Sequence, residues 1–148
     1  MTRPDRLMSE NEIANRIMDV AFMIHRELGP GLLESVYEVV FERLLADIGL
    51  QVKRQMSVPI QYKGLTFDEG FRADLVVENK VIIELKSVER LQPVHSKQLL
   101  TYLRLMDFRL GILINFGENL LKDGIKRVVN SLPADPPFLN VSNKVFVP

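Results

Sequence analysis

The stretch from residue 72 to residue 87 constrains the fold more than any other part of this sequence. It contains two runs rich in β-branched and aliphatic residues, which are typical of strands, and the polar segment Glu78-Asn79-Lys80 between them is typical of a turn. A three-residue turn places Val77 opposite Val81 in an antiparallel hairpin. In this register the apolar side chains share one face: Phe71, Ala73, Leu75 and Val77 on the first strand, and Val81, Ile83 and Leu85 on the second.

The other face of the predicted hairpin carries charges, with Asp74 across from Glu84 and Arg72 across from Lys86. Two carboxylates directly opposite each other on neighbouring strands repel and destabilise the pair. A cation bound between them would remove the conflict, and carboxylate oxygens are ligands that Mg²⁺ prefers. With Lys86 nearby, the residues suit metal-assisted hydrolysis of a phosphodiester. The alternative is an exposed face with a few hydrated charges, and the residues alone leave both interpretations open.

The composition is that of an ordinary globular protein, since 47% of the 148 residues are apolar and 26% are charged. The absence of cysteine excludes disulfides and thiolate metal sites. No apolar run is long enough to cross a bilayer and no signal peptide is visible, so we expect a cytoplasmic protein without membrane contact. The zero net charge argues against non-specific coating of nucleic acid and requires a local basic patch instead. The candidate cations are Lys53, Arg54, Lys97, Arg104, Lys122, Lys126 and Arg127.

Apolar residues at helical spacing predict three helices. The first begins at a capping box, Ser9 with Glu12, and ends at Gly29-Pro30-Gly31. The second runs from about residue 32 to residue 48, and the third from Pro93 to about residue 106. The expected apolar faces are Ile13, Ile17, Val20, Ile24 and Leu28 in the first helix, Val36, Val39, Val40 and Leu44 in the second, and Leu99, Leu100, Leu103 and Met106 in the third.

The remaining segments predict strands. Residues 51–62 alternate between apolar and polar side chains, and Pro59 places part of this strand at a sheet edge, which a second copy could cover. We expect residues 65–67 to extend the central hairpin and the apolar run 110–114 to be a buried strand of the parallel type. The side chains expected on one face of the first strand are Val52, Met56, Val58, Ile60 and Tyr62.

This element order predicts one α/β (α+β) domain over residues 1–148, with the order α-α-β-β-β-α-β. We expect residues 1–8 and the C-terminal end to be flexible. Residues 125–129 and the Pro-rich segment 133–137 are expected to add a strand or a short helix.

Three motifs give the sequence a family resemblance. Residues 31–37 read Gly-Leu-Leu-Glu-Ser-Val-Tyr, which is a G-x-x-E-x-x-Y signature, and Glu84-Leu85-Lys86 is an E-x-K preceded by Asp74. Residues 98–102 fit the Q-x-x-x-Y pattern of the RecB-type branch. Over nearly its whole length the chain therefore resembles the GxxExxY proteins of the PD-(D/E)XK nuclease superfamily, although Ala73 replaces the proline of the superfamily's name. The resemblance implies a restriction-endonuclease-like core, a central mixed β-sheet flanked by helices.

The resemblance also implies roles for the matching residues. The ligands of Mg²⁺ or Mn²⁺ would be Asp74, Glu84 and the backbone carbonyl of Leu85, with Glu34 as a further acidic ligand, directly or through water. The catalytic lysine would be Lys86, and the residues lining the site would be Gln98 and Tyr102.

Three functions are compatible with this sequence. The first is a metal-dependent nuclease that hydrolyses phosphodiester bonds of nucleic acid, with DNA favoured over RNA. It would act alone, as a homodimer or within a larger assembly. The second is a catalytically inactive module of the same fold that binds nucleic acid or protein. The third is a structural protein whose charged hairpin face is a dimer contact. Metal binding and cleavage separate the three.

Overall fold

The computed structural model describes residues 7–132, which contain three α-helices, one 3₁₀ helix and five strands. In chain order these are α1 (Glu10–Leu28), α2 (Glu34–Asp47), β1 (Val52–Tyr62), β2 (Leu65–Val77), β3 (Val81–Lys86), α3 (Pro93–Met106), β4 (Leu110–Asn115), the 3₁₀ helix (Leu121–Gly124) and β5 (Ile125–Val129). The predicted order is confirmed, and β5 is the strand that we expected near residue 125. The predictions for residues 1–6 and 133–148 lie outside the described residues.

The five strands form one mixed sheet in the order β1-β2-β3-β4-β5. Neighbouring strands are antiparallel except for β3 and β4, which are parallel because α3 connects them as a crossover. Helices α1 and α2 cover one face of the sheet and α3 covers the other. The predicted mixed sheet flanked by helices is confirmed. Within residues 7–132, no helix has the length and apolar composition needed to cross a membrane.

The register of the central hairpin is the one that its apolar residues predict. Val77 pairs with Val81 and Leu75 pairs with Ile83. The turn between the strands is tight because Glu78 and Asn79 both have φ of 53°, in the left-handed region, and the Lys80 N–H donates to the Val77 carbonyl at 3.0 Å. The turn thus fixes which residues of β2 and β3 face each other.

One part of the predicted hairpin face is wrong. Leu75 and Val77 pack under α1 and α2 as expected, but Ala73 and Phe71 pack on the opposite face, against α3. The physical reason is an interruption of the strand alternation beside Asp74. Gln55, in the partner strand β1, has φ of 54°, and its neighbours Arg54 and Met56 pair with Leu75 and Ala73. The same interruption puts Val52 and Met56 on different faces, against our expectation.

The apolar face of α2 also differs from the prediction. Tyr37, Phe41 and Leu45 are fully buried, whereas Val36 is 41% exposed and Val39 is 48% exposed. The two aromatic rings bury more apolar area than the valines would, and Tyr37 stacks on Phe116 with ring centroids 4.3 Å apart. The helix is therefore rotated toward its aromatic stripe. Leu28, at the end of α1, is likewise 43% exposed rather than buried.

Strands β1 and β2 extend beyond β3 as a two-stranded arm, residues 59–70. Every residue of the arm is exposed except Ile60, which is half-buried. Tyr62, predicted on the buried face of β1, is 62% exposed. The register shifts between Val58 and Ile60, where the arm leaves the sheet. Gly70 lies directly beneath the Ile60 side chain, because a Cβ at residue 70 would come within 2.0 Å of the Ile60 Cδ1.

Candidate functional site

Asp74 and Glu84 come together in the middle of the sheet, as the register predicts. The Asp74 N–H donates to Glu84 Oε1 at 3.2 Å, and the Leu85 N–H donates to Asp74 Oδ2 at 2.8 Å. Hydrogen bonds to the side-chain carboxylates replace the regular ladder between β2 and β3 here, since the paired residues of the two strands end at Leu75 and Ile83. The chain therefore holds both carboxylates through backbone donors of the two central strands.

The surroundings of Glu84 disfavour its negative charge. The side chain is buried, with 8% of the residue exposed. Burial and then the nearby charge of Asp74 raise the pKa of Glu84 to about 8, while the positive charge of Lys86 acts in the opposite direction. Without a cation, Glu84 thus holds a proton at neutral pH. A bound cation would favour the ionised form of the same carboxyl group.

Helix α3 contributes Tyr102 to the same site. Burial, followed by the negative charges of Glu84 and Asp74, raises the pKa of the Tyr102 hydroxyl. Its ring stacks on Phe71 with centroids 3.8 Å apart and an interplanar angle of 7°, which fixes the direction of the hydroxyl. Gln98, one helical turn earlier, is exposed and forms no hydrogen bond with either carboxylate among the described residues. The structure thus brings Tyr102, but not Gln98, to the carboxylate pair.

Glu34 lies at the end of β3. Its Oε1 accepts a hydrogen bond from the Ser87 N–H at 3.2 Å, one residue beyond Lys86, and the Ser87 hydroxyl donates to the Leu32 carbonyl at 2.6 Å. Between residues 7 and 132, no three Asp, Glu, His or Cys side chains are placed to bind one ion together. Glu34 is therefore next to the E-x-K strand but is not joined to Asp74 and Glu84, and its role as a ligand stays a prediction.

The spacing of the G-x-x-E-x-x-Y signature has a structural explanation. The Tyr37 hydroxyl donates to the Gly29 carbonyl at 2.6 Å and accepts from the Leu32 N–H at 3.1 Å, which closes the loop between α1 and α2. Gly31 has φ of 97°, a conformation that favours glycine. The loop sets the start of α2, and Glu34 therefore faces the end of β3. The signature combines a structural tyrosine with a carboxylate directed at β3.

Two residues near Asp74 were missed by the sequence analysis. The Gln55 Nε2 donates to Glu38 Oε1 at 2.8 Å and to Asp74 Oδ1 at 3.4 Å. Glu38 is only 6% exposed, and burial raises its pKa, although the Gln55 hydrogen bond acts against this. A signal for Glu38 was present, because it follows Glu34 by four residues and so lies on the same helix face. For Gln55 the sequence offered only its position on the polar side of a strand.

The donor set of this site fits a divalent cation such as Mg²⁺ or Mn²⁺. Asp74 and Glu84 supply hard carboxylate oxygens, and the Leu85 carbonyl lies on the same strand segment. Mg²⁺ commonly binds one or two carboxylates and retains several waters, so a pair is sufficient. The raised pKa of Glu84 also reflects charge repulsion that a cation would remove.

A cleft of about 590 Å³ opens beside Glu34, between the start of α2 and the segment that follows β3. Its lining residues are Gly31, Leu32, Leu33, Glu34, Ser35, Ser87, Val88, Glu89 and Gly117. The volume lies in the range of small-molecule sites. It gives a ligand access to the end of β3, next to Lys86.

The candidate cations for nucleic-acid contact are spread over several elements. The Arg54 Nε on β1 lies 3.8 Å from Glu42 Oε1, and the Arg127 guanidinium on β5 donates a hydrogen bond to Asn11 Oδ1. Lys97 and Arg104 are seven residues apart on α3, on the side of the sheet that carries Tyr102. At about 3.6 residues per turn, these two side chains lie on a different face of α3 from Tyr102.

The comparisons with known proteins agree with this geometry. Residues 11–128 match the profile of the PD-(D/E)XK nuclease superfamily. Comparison with curated proteins and with solved structures gave no match. The matching segment begins in the first turn of α1 and ends within β5, so it contains the whole of the carboxylate site. The chain belongs to the PD-(D/E)XK nuclease superfamily.

Proposed function

We propose that this protein is a metal-dependent nuclease that hydrolyses phosphodiester bonds of nucleic acid, with DNA as the favoured substrate. The observation that carries the proposal is the Asp74–Glu84 pair on adjacent central strands, with the positive charge of Lys86 close enough to act on Glu84. Membership of the superfamily supports a nucleic-acid substrate. The signature at residues 31–37 supports assignment to the GxxExxY proteins.

In this proposal Asp74, Glu84 and the Leu85 carbonyl hold Mg²⁺ or Mn²⁺, and Glu34 assists directly or through water. When bound, the ion supplies Lewis-acid polarisation of the phosphate and a lower pKa for a coordinated water. Lys86 neutralises the negative charge that builds up on the phosphate in the transition state. Tyr102 remains protonated at physiological pH, because its pKa is raised, and its hydroxyl can donate to a substrate oxygen. Gln98 contacts the substrate from the exposed face of α3.

A second candidate is a catalytically inactive module of the same fold that binds nucleic acid or protein. One observation favours it: Gln98, which the family resemblance assigns to the site, is exposed and forms no hydrogen bond with either carboxylate among the described residues. Such a module would bind its ligand without a metal-dependent step.

The test is a cleavage assay on single- and double-stranded DNA and RNA, with Mg²⁺ or Mn²⁺, of the wild type and Lys86→Ala. We expect metal-dependent cleavage that falls by about 10²–10³-fold in the variant, the loss typical of removing one transition-state contact. Arg16→Ala is the control, because Arg16 is exposed on α1 and is not among the candidate cations. Binding without cleavage by the wild type would instead identify the inactive module.

A further inference from the structure

We propose that Gln55 and Glu38 are positioning residues of the Asp74–Glu84 site. Glu38 orients the side-chain amide of Gln55, and the amide fixes the carboxylate of Asp74. That this arrangement serves metal binding rests on the proposed function, whereas the positioning itself does not require a metal.

The backbone of Gln55 is the first observation. A φ of 54° is disfavoured for a residue with a side chain, and inside a strand it interrupts the alternation of faces. Within β1, Gln55 has a positive φ in the middle of the strand. Lys63, which also has a positive φ, lies instead in the turn that closes the arm, where this conformation is common. A strained conformation in mid-strand persists only where the surroundings hold it. Here the surroundings are Glu38 on one side and Asp74 on the other.

The hydrogen bonds of the amide are the second observation. Its Nε2 donates to Glu38 Oε1 at 2.8 Å and to Asp74 Oδ1 at 3.4 Å. A side-chain amide has two N–H groups, so one nitrogen can serve both carboxylates. The shorter bond is the one to Glu38, and Glu38 therefore decides that the nitrogen, rather than the oxygen, of the amide faces Asp74.

The two oxygens of Asp74 then have different partners. Oδ1 accepts from Gln55, while Oδ2 accepts from the Leu85 N–H at 2.8 Å. With both oxygens held, the carboxylate cannot rotate freely about its side-chain bonds. A ligand whose orientation is already fixed loses less conformational freedom when it binds. Outer partners of this kind commonly change metal affinity by about 10–100-fold when they are removed.

The first experiment measures hydrogen exchange of the Leu85 amide by NMR in the metal-free protein. Gln55→Gly removes the amide and tolerates positive φ, and Glu38→Ala removes its acceptor, so both should free Asp74. We expect Leu85 exchange to rise by about tenfold relative to Ile83 on the same strand, the effect of weakening one hydrogen bond. Glu38→Gln should restore near-wild-type exchange, because its carbonyl oxygen still accepts from Gln55. Gln61→Ala, at an exposed glutamine of β1, is the matched control.

The second experiment measures Mg²⁺ and Mn²⁺ binding by calorimetry with the same proteins. We expect affinity to fall about 10–100-fold in Gln55→Gly and Glu38→Ala and to recover in Glu38→Gln. Unchanged Leu85 exchange in Gln55→Gly would overturn the positioning role. If the wild type binds metal, an unchanged metal affinity in Gln55→Gly would overturn it as well. A wild type that binds no metal contradicts the proposed nuclease instead, and the exchange data then decide the positioning role alone.

Discussion

Burial of Glu84 beside Asp74 makes folding sensitive to pH in the absence of metal. The pKa of Glu84 is about 8 in the folded protein, against 4.5 for the free side chain. The folded state therefore binds a proton that the unfolded chain releases between these values. The stabilisation is fully present below about pH 4.5 and is lost as the pH rises through about 8.

We accordingly expect the free energy of unfolding of the metal-free protein to fall between pH 5 and pH 8 by a few kcal/mol, since one pKa unit corresponds to about 1.4 kcal/mol. Glu84→Gln should reduce this fall but not abolish it, because burial raises the pKa of Glu38 in the same direction. Urea unfolding in the presence of a chelator measures both. The same slope in wild type and variant would show that Glu84 is not the group responsible.

Mg²⁺ should restore the stability that the metal-free protein loses as the pH rises to 8. An ion that binds only the folded state stabilises it, by an amount that grows with the logarithm of the ion concentration once that exceeds the dissociation constant. We expect millimolar Mg²⁺ to raise the melting temperature of the wild type at pH 8 and to leave that of Glu84→Ala unchanged. Equal rises in both proteins would mean that the ion binds somewhere other than this carboxylate.

Among the elements, the segment after β3 is fixed by a residue of β4. Asn115 is fully buried; its Oδ1 accepts from the N–H groups of Val88 and Gly117, both at 3.0 Å, and its Nδ2 donates to the Val88 carbonyl at 2.9 Å. Gly117 packs against the same backbone, since a Cβ there would come within 2.1 Å of the Val88 carbonyl oxygen. The chain that follows Lys86 is therefore held on both sides.

Asn115→Ala should destabilise the protein by about 2–3 kcal/mol, because several buried backbone groups lose their partner. Asn119→Ala, at an exposed asparagine of the following loop, should change stability by less than about 0.5 kcal/mol. Denaturant unfolding gives both values. A small effect at residue 115 would mean that water replaces the side chain.

The sequence predicted elements better than it predicted their faces. The capping box of Ser9 and Glu12 and the start of α3 at Pro93 are local signals, and both are confirmed. The rotation of α2 was missed because valines and aromatic residues form competing apolar stripes, and packing against Phe116 decides between them. The change of face at Asp74 was missed because no local sequence pattern indicates that the backbone of Gln55 has a positive φ.

For the molecule as a whole, the pairing of Asp74 with Glu84 followed from the sequence because apolar side chains and a short turn fix the register of one hairpin. The contributions of Glu38 and Gln55 could not be derived in this way. They depend on the packing of α2 against β1 and on the pairing of β1 with β2, which join residues 17 and 19 positions apart in the chain. Local patterns thus identified the two central carboxylates, and only the tertiary structure identified their surroundings.

The arm formed by residues 59–70 has a consequence for how this protein can be re-engineered and how its relatives can diverge. Its outer strands pair with each other, and Ile60 lies opposite Phe67. Replacing residues 61–66 with Asn-Gly should therefore close a two-residue hairpin and leave the core packing intact. We expect a melting temperature within a few degrees of the wild type, and circular dichroism would check it. We therefore expect the sheet to tolerate changes of length and sequence at the end of the arm.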